Sequence, residues 1–412
     1  MALTKLNSLS IPANTVVATD IADGSITAAK LADDAVTSAK IADNAVVTAA
    51  IADDAVTAAK STVTGANRNL IINGDMAIAQ RGTSSTSSGI KTIDRWNALW
   101  NGGGITQSQV ALTSGGAYDE GHRHAFKMAV TSTHSANNRY AQIRYIPEAQ
   151  DIRNMGWQYT SGSSYITVSF WAKSSLAGTY FFSMYGPDSG TAQVYSTSYA
   201  LAANTWTKVT KTIPGGSNIV LNDDTGIGFY IDIRLDLGTD YTASDATINA
   251  WNDRVASDAK TTTDFAQSWA NTANATWELT GVKLEVGQTA TTFEKPDYTA
   301  EFQKCQRYYW TIRGDEGQDY SSTNYGFLLQ WGSSRFSGWN PFWTMNFPVE
   351  MRAIPTTTIV GTWGTSNSGT YSIAGYKTKM SAGIGFSSTT ATSGAYAHFN
   401  STDDAITFDA EL

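Results

Sequence analysis

The chain is short of cysteine, histidine and charge, and each shortage closes a class of function. Cys305 is the single cysteine among 412 residues, so no internal disulfide framework exists. It reads as a small buried apolar side chain rather than a nucleophile. Four histidines occur: His122, His124, His134 and His398. His122 and His124 would face one side of a strand, a spacing that can bind metal. No cysteine or acidic cluster joins them nearby, so they read as exposed loop histidines. Charged residues make up 16% of the chain, and a net charge of −8 argues against a duplex nucleic-acid partner. No apolar run approaches membrane-span length, and the opening MALTKLNSLS lacks the apolar stretch of a signal peptide. The expectation is a soluble protein, not exported by an N-terminal signal and without membrane insertion. No G-x-S-x-G, H-E-x-x-H or phosphate loop occurs. Asn222-Asp223-Asp224-Thr225-Gly226 and Asp315-Glu316-Gly317 read as turns, not as a carboxylate pair. The chain is therefore expected to be no enzyme, with no cofactor and no metal.

What is present begins with a repeat. Residues 21–60 read IADGSITAAK, LADDAVTSAK, IADNAVVTAA and IADDAVTAAK, four decads aligned without a gap. The preceding IPANTVVATD resembles a degenerate fifth copy. Position one is Ile21, Leu31, Ile41 and Ile51; position six is Ile26, Val36, Val46 and Val56. Two medium apolar side chains per decad cannot offset the entropy of ordering ten residues. One chain alone should not hold this shape, whereas several wound side by side could. Thr27, Thr37 and Thr57 can each cap a short helical turn, which Asp-Gly, Asp-Asp or Asp-Asn then ends. At most ~25 Å of rise per decad gives a shaft on the order of 100 Å or less. A disordered linker is the alternative, but a free linker has no reason to keep register. The period of ten excludes a heptad coiled coil.

After a polar hinge, 61–68, a globular region opens with Asn69-Leu70-Ile71-Ile72-Asn73-Gly74. Asp94 and Arg95 read as a structural pair at the base of a strand, with Trp96 in the core. Several segments then alternate with period two. In Tyr165–Lys173, Ile166, Val168, Phe170 and Ala172 share one face while Thr167, Ser169, Trp171 and Lys173 take the other. Further strands are expected over 179–185, 205–213, 228–235, 275–279 and 282–286. Trp206 and Trp277 belong in the core or at its edge. Strands separated by turn residues, without a strong helix pattern, indicate an antiparallel sandwich.

These residues also carry a resemblance. NLIINGDMAIAQRG, DRW, YITVSFWAKSS, TWTKVTKTIP and LTGVKLEVG resemble the carbohydrate-binding-module-like jelly roll of many phage tail-fibre proteins, over roughly 69–295. The resemblance implies a two-sheet jelly roll with a binding or spacer role. Related modules often hold a structural calcium between acidic residues near the first and last strands. Asp75 fits the first place, but Thr280-Gly281 stands where the second acid would be. CQRYYW (305–310), FPVEMRAIPT (347–356) and FDAEL (408–412) resemble the C-terminal region of the same fibre proteins, which implies a small trimeric β domain. EFQKCQRYY reads as a short helix joining the two.

The expected chain is thus mainly β. It has a virion-attachment segment and trimeric repeat shaft over 1–60, a jelly roll over 69–295 that folds alone, and a trimeric tip over 296–412. Three functions stay open. One is a homotrimeric virion fibre, made in the host cytoplasm, that docks on other virion proteins through its N-terminal segment and binds a host surface polysaccharide. The second is a structural fibre or spacer on tail or head, and the third is a depolymerase. If a receptor is touched, the aromatic-rich stretch Tyr325 to Trp343 is the candidate. There Tyr325, Trp331 and Trp339 can stack on sugar faces while Arg335 and Asn340 read hydroxyls. The same tryptophans could instead form the core of the tip domain.

Overall fold

The computed structural model describes residues 21–31, 36, 69–188, 191–254, 260–313, 328–330, 342–361, 364–366, 371–386, 396–398 and 404–412. The chain divides into two compact units, Met1–Thr62 and Val63–Leu412.

In the first unit, the one described helical turn is a 3-10 turn, Ala28–Lys30, closed by Lys30 N–H donating to the Thr27 carbonyl at 2.9 Å. An earlier turn, Ala22 to Ser25, carries Gly24 at φ 71°, the left-handed backbone that an Asp-Gly pair supplies. Ile21, Ile26, Leu31 and Val36 are 44%, 54%, 45% and 55% exposed. Among the described residues, positions one and six of the decad are thus largely exposed.

The second unit is built on two six-stranded antiparallel sheets. The first runs in the order β1 (Ser84–Ser85), β3 (Gly104–Ala111), β4 (His124–Ser132), β12 (Thr276–Val286), β6 (Tyr165–Ser174), β9 (Thr207–Pro214). The second runs β11 (Trp251–Asp253), β8 (Gln193–Leu201), β7 (Gly178–Gly186), β10 (Tyr230–Leu237), β5 (Tyr140–Tyr145), β2 (Trp96–Asn101). The chain passes repeatedly between the two sheets, with β3–β4 and β7–β8 paired as neighbours within one sheet, and each sheet buries one face against the other. Ile166, Val168, Phe170 and Ala172 of β6 are fully buried, as the period-two pattern predicts. They join one core with Phe126 and Met128 of β4, Tyr180, Phe182 and Met184 of β7, and Ile231 and Ile233 of β10. Trp277 is buried in that core, whereas Trp206 packs half-buried on a satellite of Leu112, Ala117 and Ala125.

Three local expectations are revised. The segments 275–279 and 282–286 form one strand, β12, whose pairing with β6 shifts between Thr280 and Lys283. Gly281 takes φ 62° in this bulge, directly above the His122 ring, where a Cβ would collide. His122 is accordingly buried rather than an exposed loop residue, and His124 begins β4. Asp94 and Arg95 do not pair with each other. Asp94 faces Arg81 at 3.6 Å, while Arg95, at φ 74°, turns its guanidinium to Glu411.

The remaining chain starts with the expected helix, α1 (Tyr298–Gln306), capped by Asp297 accepting from Ala300 N–H. Cys305 on it is buried. Three three-stranded antiparallel sheets follow. The first is β13 (Tyr309–Arg313), β21 (Ala405–Asp409) and β16 (Thr356–Val360). The others are β14 (Leu328–Gln330), β20 (Tyr396–His398), β17 (Gly364–Ser366), and β15 (Phe342–Asn346), β19 (Ser381–Phe386), β18 (Tyr371–Lys377). Trp310, Phe347 and Phe408 pack together, with ring centroids 4.9 to 5.5 Å apart, in a small core with Met351, Ala382 and Ile406.

This region is keyed into the sandwich by buried ions, within the one compact unit Val63–Leu412. Arg95 is sandwiched between the Tyr308 ring, 3.4 Å from its centroid, and the Glu411 carboxylate. Arg81 lies 3.6 Å over the Tyr309 ring and reaches Asp409 at 3.1 Å and Glu411 at 3.5 Å. In the other direction, Glu148 of the sandwich accepts two hydrogen bonds from Arg307, at 2.8 and 2.9 Å, and a third from the Tyr308 hydroxyl at 2.6 Å. Burial pushes the Glu148 carboxyl up, but these bonds outweigh it and hold it below its ordinary value. Arg352 ties three carbonyls, those of Thr225, Ala410 and Glu411, at 2.7 to 3.0 Å. CQRYYW, FPVEMRAIPT and FDAEL therefore meet the sandwich, at AQRG, DRW, Glu148 and Thr225.

Candidate functional site

The outer face of the second sheet is where the fold leaves room. Register fixes what faces outward there. Tyr230 of β10 stands opposite Tyr185 of β7, Asp232 opposite Arg144 of β5, and Arg234 opposite Gln142. Period two turns Ile231 and Ile233 inward and these residues outward. The connection from β10 through β11 to β12 then crosses this face. Phe265 of that connection packs on Phe181 with centroids 4.9 Å apart, and Gln267 exchanges two hydrogen bonds with the Thr179 backbone. Tyr241 meets Tyr140 edge to face at 6.0 Å.

Between sheet and connection lies a cavity of about 250 Å³, open on one side. Its wall is Leu99, Tyr140, Gln142, Arg144, Arg234, Leu237, Tyr241, Arg254 and Thr261. Beside it runs a ladder of rings and guanidinia. Arg254 lies 4.6 Å from the Tyr185 ring centre, Tyr185 stacks on Tyr230 at 5.3 Å and 13°, and Arg144 lies 4.4 Å from the Tyr230 centre. Within the ladder the rings are covered by each other and by the guanidinia, so it stiffens this side of the cavity, while Tyr140 and Tyr241 are the rings that line it.

The electrostatics are lopsided. Asp232, almost fully buried, receives both arms of Arg144, at 2.6 and 3.0 Å. Arg234 approaches the same carboxylate only to 3.5 Å, and its Nε is buried without a hydrogen-bond partner. Burial pulls the Arg234 guanidinium below its usual pKa; Asp232 opposes this, while Arg144 and Arg254 add to it. For Arg144 burial also opposes the charge, but Asp232 outweighs it and the value rises.

The residues expected to touch a receptor, Tyr325, Trp331, Arg335, Trp339 and Asn340, lie outside the described residues. The cavity was missed by sequence reading. Its signal was nonetheless present, because Asp232, Arg234 and Asp236 recur at period two within YIDIRLDL, a strand whose other face is wholly apolar.

Asp75, the residue that fits a calcium position, has other partners. Lys295 Nζ donates to its Oδ1 at 2.7 Å, and the His122 ring nitrogen Nδ1 meets the same oxygen. Lys295 Nζ also lies 2.8 Å from His122 Nδ1. Calcium asks for six or more oxygen ligands, and this set of one carboxylate, an imidazole and an ammonium does not fit it. Among the described residues, no group of three His, Cys, Asp or Glu could hold a metal ion.

No protein-family model matches the sequence, and no curated protein matches it. Among solved structures, the chain is similar to the enzymatically active domain of tailspike protein 4 of bacteriophage CBA120. The match has 10% identity and a TM-score of 0.31, and covers 53% of this chain and 22% of that one. It is similar to a family 11 carbohydrate-binding module from Clostridium thermocellum, solved with a mixed-linked tetrasaccharide, at 12% identity and a TM-score of 0.24. That match covers 51% of this chain and 98% of the module. A third similarity is to the tripod of the bacteriophage Tuc2009 baseplate, at 14% identity and a TM-score of 0.24, covering 56% and 59% of the two chains. No helix among the described residues is long and apolar enough to cross a membrane.

Proposed function

We propose that the protein is a homotrimeric phage virion fibre whose jelly roll binds a host surface polysaccharide during adsorption. The observation that carries this reading is the cavity on the outer face of the second sheet, walled by Tyr140 and Tyr241 and edged by the Tyr185–Tyr230 stack. Pre-formed concave sites that mix aromatic rings with a few convergent polar groups are the usual form of small-ligand sites. The tail-fibre resemblance of the strands around it supplies the biological setting. Three parallel shafts explain the decads, because they would bring equal apolar positions together around an axis. The N-terminal segment is the part that docks on other virion proteins. The fibre does no chemistry of its own. Asp232, the carboxylate that the cavity-lining Arg144 and Arg234 share, is committed to Arg144, whereas glycoside hydrolysis uses two free carboxyl groups about 5–9.5 Å apart.

The test is retention of the full chain on immobilised surface polysaccharides from bacteria that the phage infects. Soluble polymer should elute it and should also compete with virion adsorption, without loss of polymer viscosity. Absence of retention on every such polymer overturns the binding role. A fall in viscosity overturns the claim that there is no chemistry.

A further inference from the structure

The charge balance of the cavity specifies its ligand further. This step rests on the carbohydrate-binding reading above. Arg144 and Arg234 stand on the neighbouring strands β5 and β10, facing the same way. They share one carboxylate, Asp232, and Arg144 takes both of its oxygens. Arg234 is left with a 3.5 Å approach to an oxygen already occupied and with an N–H that is buried and unmet. An unmet buried donor costs free energy, more so on a charged group. Two guanidinia against one carboxylate leave a surplus positive charge, and among the described residues no carboxylate lines the cavity. The fork of a guanidinium matches the two oxygens of a carboxylate or of a phosphate or sulfate ester.

We propose that the cavity binds an acidic saccharide, with Arg234 holding its anionic group and Tyr140 and Tyr241 packing against the sugar ring. The volume of about 250 Å³ lies at the lower end of ligand sites, so it admits one acidic residue or side group of a polymer. Gln142, opposite Arg234 and buried, is placed to read a neighbouring hydroxyl. The surplus charge that burial penalises would then be offset by the bound anion.

The experiment titrates the full chain by calorimetry with three probes: oligouronides, the same oligomers after carboxyl reduction to neutral sugars, and phosphate- or sulfate-bearing oligosaccharides. The expected result is binding of at least one acidic series, weakened by added salt, with neutral counterparts bound at least about tenfold more weakly. Arg234→Met should weaken acidic binding about 10- to 100-fold, and Arg234→Lys should recover part of it, with melting temperatures close to that of the parent. Which acidic series binds decides between a carboxylate and an ester as the recognised group. Neutral oligomers bound as tightly as acidic ones would overturn this inference and leave the carbohydrate-binding role standing. Acidic binding indifferent to both Arg234 variants would do the same. If none of the probes binds, both readings fall together.

Discussion

The ion pair that locks the sandwich to the C-terminal region allows a quantitative test. Arg95 and Glu411 have side chains 1% and 8% exposed, so neither can turn to water when its partner is removed. Replacing Glu411 by Gln keeps the shape and one acceptor but deletes the charge. Arg95 would keep a neutral amide acceptor, the Ile146 carbonyl and the Tyr308 and Tyr145 rings. Unit charges at this separation interact by ~4 kcal/mol at an effective dielectric constant of about 20. Breaking one side of a buried pair costs ~3–5 kcal/mol in other proteins. The ring contact gives back no more than ~1–2 kcal/mol, and it is present in both forms. Glu411→Gln should therefore cost about 3 kcal/mol. Arg95→Met should cost less, because Glu411 retains Arg81 at 3.5 Å. The double variant should cost about 2 kcal/mol less than the sum of the singles, the sign of direct coupling. Urea unfolding of the full chain at fixed subunit concentration, followed by tryptophan fluorescence, reads all four proteins. A cost for Glu411→Gln below about 1 kcal/mol, or singles that simply add, would refute the argument.

Four further outcomes are expected. A fragment spanning 66–297 should fold around its own core but melt well below the full chain, because Arg81, Arg95 and Glu148 lose their partners; a fragment as stable as the full chain counts against this. Burial, against Arg81 and the Gln80 hydrogen bonds, pushes the Asp94 carboxyl up to about 6. A raised carboxyl binds its proton more tightly folded than unfolded, so its contribution is full below about pH 4 and is lost as pH rises through about 6. Asp94→Asn should thus gain on the parent by on the order of 2 kcal/mol between about pH 4 and pH 7, and a constant difference would contradict it. Leu31→Asp with Ile41→Asp should loosen the trimer in sedimentation, whereas a parent that sediments as a monomer at micromolar concentration removes the premise. Arg335→Ala and Trp339→Ala should abolish adsorption if the tip is a contact surface, with melting unchanged; normal adsorption by both assigns contact elsewhere.

How far the sequence could be read depended on the distance between partners. The strand faces were legible because period two is local: Ile166, Val168, Phe170 and Ala172 declare their side within eight positions. The bulge at Gly281 was not, since nothing near it in the sequence announces the His122 ring beneath. CQRYYW and FDAEL stood out as motifs, but their use did not. Arg95 and Glu411 are 316 positions apart, and Glu148 and Arg307 are 159 apart. Pairings of that span leave no periodic trace. The cavity escaped notice for a different reason. Sequence reading weighed tryptophan density and was drawn to 325–343, whereas Arg144 and Arg234 sit singly in strands whose apolar alternation dominates.

The left-handed backbone of Arg95 has a kinetic consequence. Holding a non-glycine residue at φ 74° costs about 1–3 kcal/mol, and here two of the contacts that hold it, Tyr308 and Glu411, come from beyond position 300. Closing a loop of 316 residues costs, in the length-dependent term alone, ~5 kcal/mol for an unstructured chain. The sandwich has to shorten that loop by folding first. Between collapse of the sandwich and docking of β13 and β21, the chain therefore passes through a species with a formed core, a strained turn and uncompensated ions at one end. Refolding should show a late phase, slowed by Glu411→Gln and unaffected by changes in the Tyr185–Tyr230 ladder. A junction that closes last in this way leaves the sandwich's charged end exposed until β13 and β21 arrive, the stage at which a partly folded chain is most open to association.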